Sequence, residues 1–554
     1  MDHPMNPILN ADIFVPDAEA HVWKDGRMYL YGSFDIAGKK GYCSDEYHVY
    51  SSDNLIDWVD HGVSFRLSQA TWASGNTALY APDCAYRNGE YFLYYCVPDG
   101  RCGVAKSKSP YGPFEDIGPI EHVNMIDPAV FTDDDGQSYL YWGQFDGVRV
   151  AKLKDNMTEI DPDTITQPLS VAEHEFHEGS SVRKINGKYY YLFTDTHRHG
   201  GRATSLGYAV SDNPMTGFEY KGIIIDNFGS DPETWNNHGS LESFNGQWYV
   251  FYHRSTHCSP FSRHVCMEPI TINEDGSIDE VKMTTSVGKD AIRANQPLAA
   301  HRACEMGGTA YIATDAESID GLAIRASRSG DSVAYRYLAF DGEDNFGIMM
   351  SADSDLRAEV YIDDKYLTSL HIEENDTDEI FDVEHSPVYG THTVTIRLFG
   401  DFKDAKISTF LFEKSEQQLR KEHAMKCPNA SDGPYQLADW YWKSGLHDAK
   451  ILSINELQLT PDYKEKRPKR NCLELHLDCQ QALYERNIKK ICFYNYKLKT
   501  YDVDLMQFDR RWWIHDTIQQ LDNGHYLLEI EVEYKARKQI QFVIEFEFAE
   551  TERT

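Results

Sequence analysis

"FHEGSSVRKINGKYYYLF", residues 176–193, carries an acid, Glu178, nine residues before the glycine of an Asn-Gly pair, with an aromatic run beyond it. Asn-Gly between strand-forming residues is a hairpin signal, because both central positions of a type I′ turn need positive φ. Four other segments repeat the pattern of a turn glycine followed by aromatic and branched residues: "WKDGRMYLYGS", "YRNGEYFLYYC", "DDDGQSYLYWG" and "FNGQWYVFYHR". The five glycines are Gly26, Gly89, Gly136, Gly187 and Gly246, so the spacings are 63, 47, 51 and 59 residues. Tyr, Phe, Val and Leu after each turn suit a half-buried strand. All-β units recurring roughly every 50 residues predict a β-propeller, here with five blades.

The acids follow the same period. Asp17 lies nine residues before Gly26, Asp127 nine before Gly136 and Glu178 nine before Gly187. Asp83 lies six before Gly89, and His238 eight before Gly246. The first strand of each propeller blade lines the central axis, so residues at one register point into one cavity. Crowded like charges cost free energy, which makes three acids at one register a candidate catalytic group rather than three turn residues. Asp83, off register in "YAPD", reads as structural, holding backbone amides between blades.

Composition limits the partners. The chain has 88 acids against 54 bases, a net charge of −34, which argues against nucleic acid or an anionic membrane as partner. No apolar run approaches the roughly 18 residues of a membrane span. The start, "MDHPMNPILN", has neither the basic nor the apolar part of a signal peptide. The eleven cysteines are scattered without paired metal-ligand spacing and read as reduced thiols of a cytoplasmic protein.

The expected architecture is all-β throughout. Residues 1–293 hold the propeller and 300–414 alternate like a β-sandwich, as in "AEVYIDD" and "HTVTIRLFG". Residues 415–554 form a last, mainly antiparallel β domain. It opens with a charged stretch of helical type, "KSEQQLRKEHAMK", and ends in "YLLEIEVEY" and "IQFVIEFEF".

Residues 1–293 resemble glycoside hydrolase family 43, whose five-bladed propellers act on arabinose- and xylose-containing glycans. The motifs that carry the likeness are "NPILNADIFVPDAEAHVW", "LYAPDCAYRNGEYFLYYC", "MIDPAVFTDDDGQSYLYWG", "FHEGSSVRKINGKYYYLF" and "NNHGSLESFNGQWYVFYHR". By that resemblance Asp17 is the general base, Asp127 the carboxylate that tunes a neighbouring pKa, and Glu178 the general acid. His238 takes the place of the histidine at the propeller centre, where family members hold a structural calcium ion or water; no organic cofactor is implied. The chain has Pro-Asp-Ala and Glu-Gly-Ser where the family often shows Pro-Asp-Pro and Glu-Gly-Pro. Neither change removes a carboxylate.

The implied reaction is inverting, exo-acting removal of arabinofuranosyl or xylosyl residues from plant-glycan oligosaccharides. A galactofuranosidase of the same family or a non-catalytic glycan-binding propeller are the alternatives. Inversion needs a protonated acid at the leaving oxygen and an ionised base roughly 6.5–9.5 Å away, with water between. An ionised Asp127 is expected to raise the pKa of Glu178. Trp72, in "QATWASGNTALYAPD", is a candidate sugar platform, and Arg263, in "FSRHVCMEPI", a candidate ligand of a sugar hydroxyl or of Asp127. Residues 300–414 resemble a family 6 carbohydrate-binding module through "CEMGGTAYI", "SGDSVAYRYLAF", "AEVYIDDKYL" and "GTHTVTIRLFG". That family closes on an Asn and a Trp that "AKISTFLFEK" lacks, so a structural role is expected.

Overall fold

The computed structural model describes residues 3–145, 147–289, 291–415, 418, 445–461, 467–483, 485–500, 511–535 and 538–553. Five antiparallel sheets in sequence make the propeller. The first is β1 (Glu19–Val22), β2 (Met28–Tyr31), β3 (Glu46–Ser52) and β4 (Val59–Arg66), and the second β5 (Asp83–Arg87), β6 (Glu90–Cys96), β7 (Arg101–Ser107) and β8 (Glu115–Asn124). The third is β9 (Ala129–Thr132), β10 (Ser138–Gly143) and β11 (Val148–Lys152). The fourth is β12 (Phe176–Ile185), β13 (Lys188–Asp195), β14 (Ser205–Ser211) and β15 (Glu219–Asp226), and the fifth β16 (Ser240–Phe244), β17 (Gln247–Thr256) and β18 (Ser259–Ile270). Strand pairs β5 and β9, β9 and β12, β12 and β16, and β16 and β1 pack side by side around the axis. The His21 to Asp83 bond of 2.7 Å ties β1 to β5.

The repeated glycines do sit in the hairpins between first and second strands, but through two kinds of turn. Asn88, Asn186 and Asn245 share positive φ with the glycines that follow, as a type I′ turn requires. At Gly26 and Gly136 only the glycine is left-handed, and the longer loop closes through bonds from Gly26 N to Trp23 O and Gly136 N to Asp133 O. Asp before Gly thus selects a three-residue loop with the glycine at its bulge position, where φ is positive.

The second strands are buried on both faces rather than half-buried. In β6 Leu93 and Tyr95 pack against the first blade, with Tyr29, Tyr31 and Tyr47. Phe92, Tyr94 and Cys96 pack against the third, with Leu140 and Trp142. The same alternation fills the other three junctions between blades. A continuous apolar run is what a strand covered on both sides needs, and each buried large side chain contributes about 1.5–3 kcal/mol. The ring closes through the N-terminal segment. Asn6, fully buried, donates from Nδ2 to Met267 O and Glu268 Oε1, both at 3.0 Å, and accepts from Met267 N. Ile8 N donates to Val265 O on β18.

The described residues form two compact units, Met1–Asp341 with Asn345–Glu413, and Gly342–Asp344 with Lys414–Thr554. In the first unit the sandwich-like sheets join the propeller through backbone bonds such as His257 N to Ile312 O and Met306 N to Gly229 O. Two of their strands are long, Ser332–Ala352 and Asn375–Gly400, and one core runs from Ala294 to Phe412. The second unit is an antiparallel eight-stranded sheet around Leu473, Trp513, Ile530 and Phe542. The helix expected over "KSEQQLRKEHAMK" falls almost wholly outside the described residues. Among them no helix is long and apolar enough to cross a membrane.

Asn6→Ala leaves the Met267 amide without its side-chain acceptor and removes three donated bonds, to Met267 O, Glu268 Oε1 and Thr284 O. Unpaired buried groups cost about 1–3 kcal/mol each, so the variant is expected to unfold at a clearly lower temperature. Thermal unfolding followed by circular dichroism checks this.

Candidate active site

Three of the five inner strands have a left-handed residue at or beside the acid they bring to the axis. Asp17 (φ 57°) precedes β1 by two residues and Asp127 (φ 59°) precedes β9 by two. In β12 the turn falls on Gly179 (φ 74°), beside Glu178, where the pairing with β13 is bulged. A left-handed residue other than glycine costs of order 1–3 kcal/mol, a strain that marks functional positions. The three carboxylates meet in one pocket of about 410 Å³, with His238 and Arg263 on its lining. The shared register therefore does bring Asp17, Asp127, Glu178 and His238 together.

Asp17 is held as a carboxylate. Its Oδ1 accepts from Arg263 Nη1 at 3.0 Å and its Oδ2 from the Ser33 hydroxyl at 2.7 Å. Its amide donates to His253 Nδ1 at 3.4 Å. Burial alone would raise this carboxyl, but the Arg263 guanidinium, helped by His238, His253 and Ser33, brings it below its ordinary value. Arg263 also grips Asp35, through Nε at 2.9 Å and Nη2 at 3.0 Å, and its cation lies 4.9 Å from the centre of the Tyr42 ring. Its carboxylate partner is thus Asp17 and not Asp127, because β18 runs beside the first blade when the ring closes.

Asp127 and Glu178 form the opposite electrostatic case. Asp127 Oδ2 accepts from Gly179 N at 3.2 Å and lies 3.8 Å from His238 Nδ1. Glu178 accepts from Gln144 Nε2 at 2.8 Å and from Asn236 Nδ2 at 3.2 Å. Burial, then the charges of Glu178 and other neighbours, push the Asp127 carboxyl well above its usual range. Asp127 has a single donor among the bonds named here, against two for Glu178. Two interacting carboxyls titrate as a pair, and the charge of Glu178 is one of the causes that raise Asp127.

Trp72 is not on the pocket lining. It sits in a turn, Thr71–Ala73, with Nε1 3.4 Å from Asp116 Oδ1 and Arg101 above its ring. The aromatic lining is Tyr42, Tyr80, Phe145 and Trp235 instead. Trp235 and Asn236 stand immediately before "NHG" and could have been found from their place in the His238 motif; Gln144 and Asp35 belong to no recognisable pattern. Asp83 plays the structural part expected: its carboxylate accepts from Cys84 N and Val130 N, both at 2.6 Å, tying the second blade to the third.

His238 is neutral, lowered by burial, and so offers a lone pair to water or a metal. Calcium takes six to eight oxygen ligands, and His238 belongs to neither group of three potential ligands among the described residues. Those groups are already compensated. Glu19, of the Glu19–His21–Asp83 group, accepts from Arg183 at 2.7 Å, and Glu474, of the Cys472–Glu474–Cys492 group, accepts from Lys490 at 3.3 Å. The protein oxygens of a calcium site are therefore not assembled at this imidazole, which suits a hydrated ion or water.

Comparison with known proteins agrees with this geometry. The family model described as glycosyl hydrolases family 43 matches residues 4–278. A xylosidase/arabinosidase of Thermoclostridium stercorarium is 33% identical over 328 residues, covering 51% of this chain and 68% of that protein. Xylosidase/arabinosidase 43A of Humicola insolens is 33% identical, covering 45% of this chain and 90% of that protein. Among solved structures, a β-xylosidase/α-arabinofuranosidase from a compost metagenome, in complex with xylotriose and calcium-free, is 31% identical. It covers 50% of this chain and 97% of that one, with a TM-score of 0.45. With three carboxylates gathered in one pocket, and relatives 33% identical matched over 68% and 90% of their length, the chain belongs to glycosyl hydrolases family 43.

Proposed function

We propose that this glycoside hydrolase is an inverting, exo-acting enzyme that removes arabinofuranosyl or xylosyl residues from plant-glycan oligosaccharides. The observation that carries the reading is the contrast inside one pocket: Asp17 paired with Arg263 and held below its ordinary value, and Asp127, on another blade, raised by burial and by the charge of Glu178. Asp17 accepts a proton from water as that water attacks the anomeric carbon. Glu178, oriented by Gln144 and Asn236, delivers a proton to the departing oxygen, and Asp127 keeps that proton available near neutral pH. Trp235 and Phe145, 49% and 62% exposed, line the pocket and offer apolar surface to the sugar that leaves. Relatives named xylosidase/arabinosidase support the sugar class. The sandwich, resembling a family 6 carbohydrate-binding module but lacking its closing Asn and Trp, supports the propeller rather than binding glycan. The ten described cysteines are free and nine are buried, which suits the reducing cytoplasm we propose.

A panel of aryl arabinofuranosides, xylosides and galactofuranosides tests the sugar, and proton NMR of the first-formed product tests inversion. Release of the retained anomer, or activity on galactofuranosides alone, overturns the proposal. Glu178→Ala is expected to lose on the order of 10²–10⁴ in rate where the leaving group is a sugar and far less on aryl glycosides of low leaving-group pKa. Asp17→Ala should lose a similar factor on every substrate.

Arg263→Lys keeps one charge but cannot bridge Asp17 and Asp35. Activity needs ionised Asp17 and is lost as the pH falls through its pKa, so weakening the pairing moves the acidic limb to higher pH. A pH profile of kcat/KM measures the displacement. Millimolar calcium is expected to raise the unfolding temperature of the wild type but not of His238→Ala; no rise in the wild type would leave water at the imidazole.

A further inference from the structure

The turn that aims Asp127 rests on the tip of the β6–β7 hairpin. Cys96 and Cys102 are directly opposed across that hairpin and both are fully buried. The Asp127 amide donates to Cys96 Sγ at 3.3 Å, and the Cys102 thiol donates to Met125 O at 3.3 Å. A third bond, Met125 N to Gly100 O at 2.8 Å, completes the seat. Both residues held by sulfur are left-handed, Met125 at φ 93° and Asp127 at φ 59°. From the far side only Gly143 N reaches this turn's backbone among the bonds described, at Ile126 O, 3.0 Å. Such conformations persist only where their surroundings over-determine them.

We propose that Cys96 and Cys102 are positioning residues for Asp127, their sulfurs fixing the strained Met125–Asp127 turn so that the Asp127 carboxyl stays buried beside Glu178. This rests on the reading of Asp127 as the partner of the acid. Sulfur is suited to the place, since its radius and diffuse lone pairs let it accept an amide at a separation that oxygen would leave loose. With the amide bond to Cys96 gone, the turn relaxes toward ordinary φ and the carboxyl moves toward water. Its coupling to Glu178 then weakens, and the pair releases its proton at lower pH.

The test compares Cys96→Ala, Cys96→Ser, Cys102→Ala and Asp127→Asn in the full chain. Cys304→Ala serves as the control, because Cys304 is equally buried and its thiol donates to Ala334 O at 3.3 Å, among residues that are not on the pocket lining. Cys96→Ala is expected to lower kcat about tenfold with KM within twofold, and to move the basic limb of the pH profile to lower pH. Cys96→Ser, which keeps an acceptor, should recover part of both, and Cys102→Ala should show a smaller shift of the same sign. Cys304→Ala should change the unfolding temperature and leave the pH profile in place. The positioning role is overturned if Asp127→Asn moves the profile while Cys96→Ala and Cys102→Ala only lower stability. If Asp127→Asn leaves the profile unmoved, the reading of Asp127 falls and the inference with it. Should Cys96→Ala not fold, Cys96→Ser and Cys102→Ala decide by the same pH criterion.

Discussion

One buried guanidinium does two jobs at once. Arg263, 2% exposed on the fifth blade, is bonded to Asp17 and Asp35 of the first. It joins the two ends of the ring and also favours the ionised form of Asp17. Removing one partner of a buried ion pair strands the other at a cost of about 3–5 kcal/mol. The closure of the fold and the ionisation of the site are therefore one interaction. A ring that failed to close would lose the Asp17–Arg263 pair along with its shape.

The axis below the site is organised by the same rule. Arg183 binds Glu19 at 2.7 Å and lies 3.4 Å from Glu242, while Asp83 takes two backbone amides and His21. Burial, together with the residual charges around them, leaves Glu19 and Asp83 each near 7. The inner strands bring polar groups to the axis, and buried there they must satisfy one another. Burial raises Asp127 as it raises Glu19 and Asp83.

What could be read from the sequence follows from how local each cause is. The Asn-Gly and Asp-Gly turns are decided by three or four adjacent residues, and the acids inherit their register from those turns. The propeller and its three carboxylates were therefore visible without coordinates. Trp72 was not placeable, because a turn tryptophan faces pocket or packing according to what lies across from it, here Arg101 and Asp116. The partner of Arg263 depends on the first and fifth blades meeting, a contact 246 residues apart in the chain. Glu178 is oriented by Gln144 and Asn236, and Gln144 announces no such role in sequence.

The N-terminal latch also imposes an order in time. Asn6 finds Met267 only when 261 further residues have been made. At roughly 5–20 residues per second on the ribosome, that is a wait on the order of 10–50 s. Through that interval the first blade holds an uncovered apolar face, with Leu30, Tyr50 and Leu55 among the residues that will pack on the fifth. The nascent ring is therefore most exposed to chaperones, or to pairing with another unfinished copy, just before its fifth blade emerges.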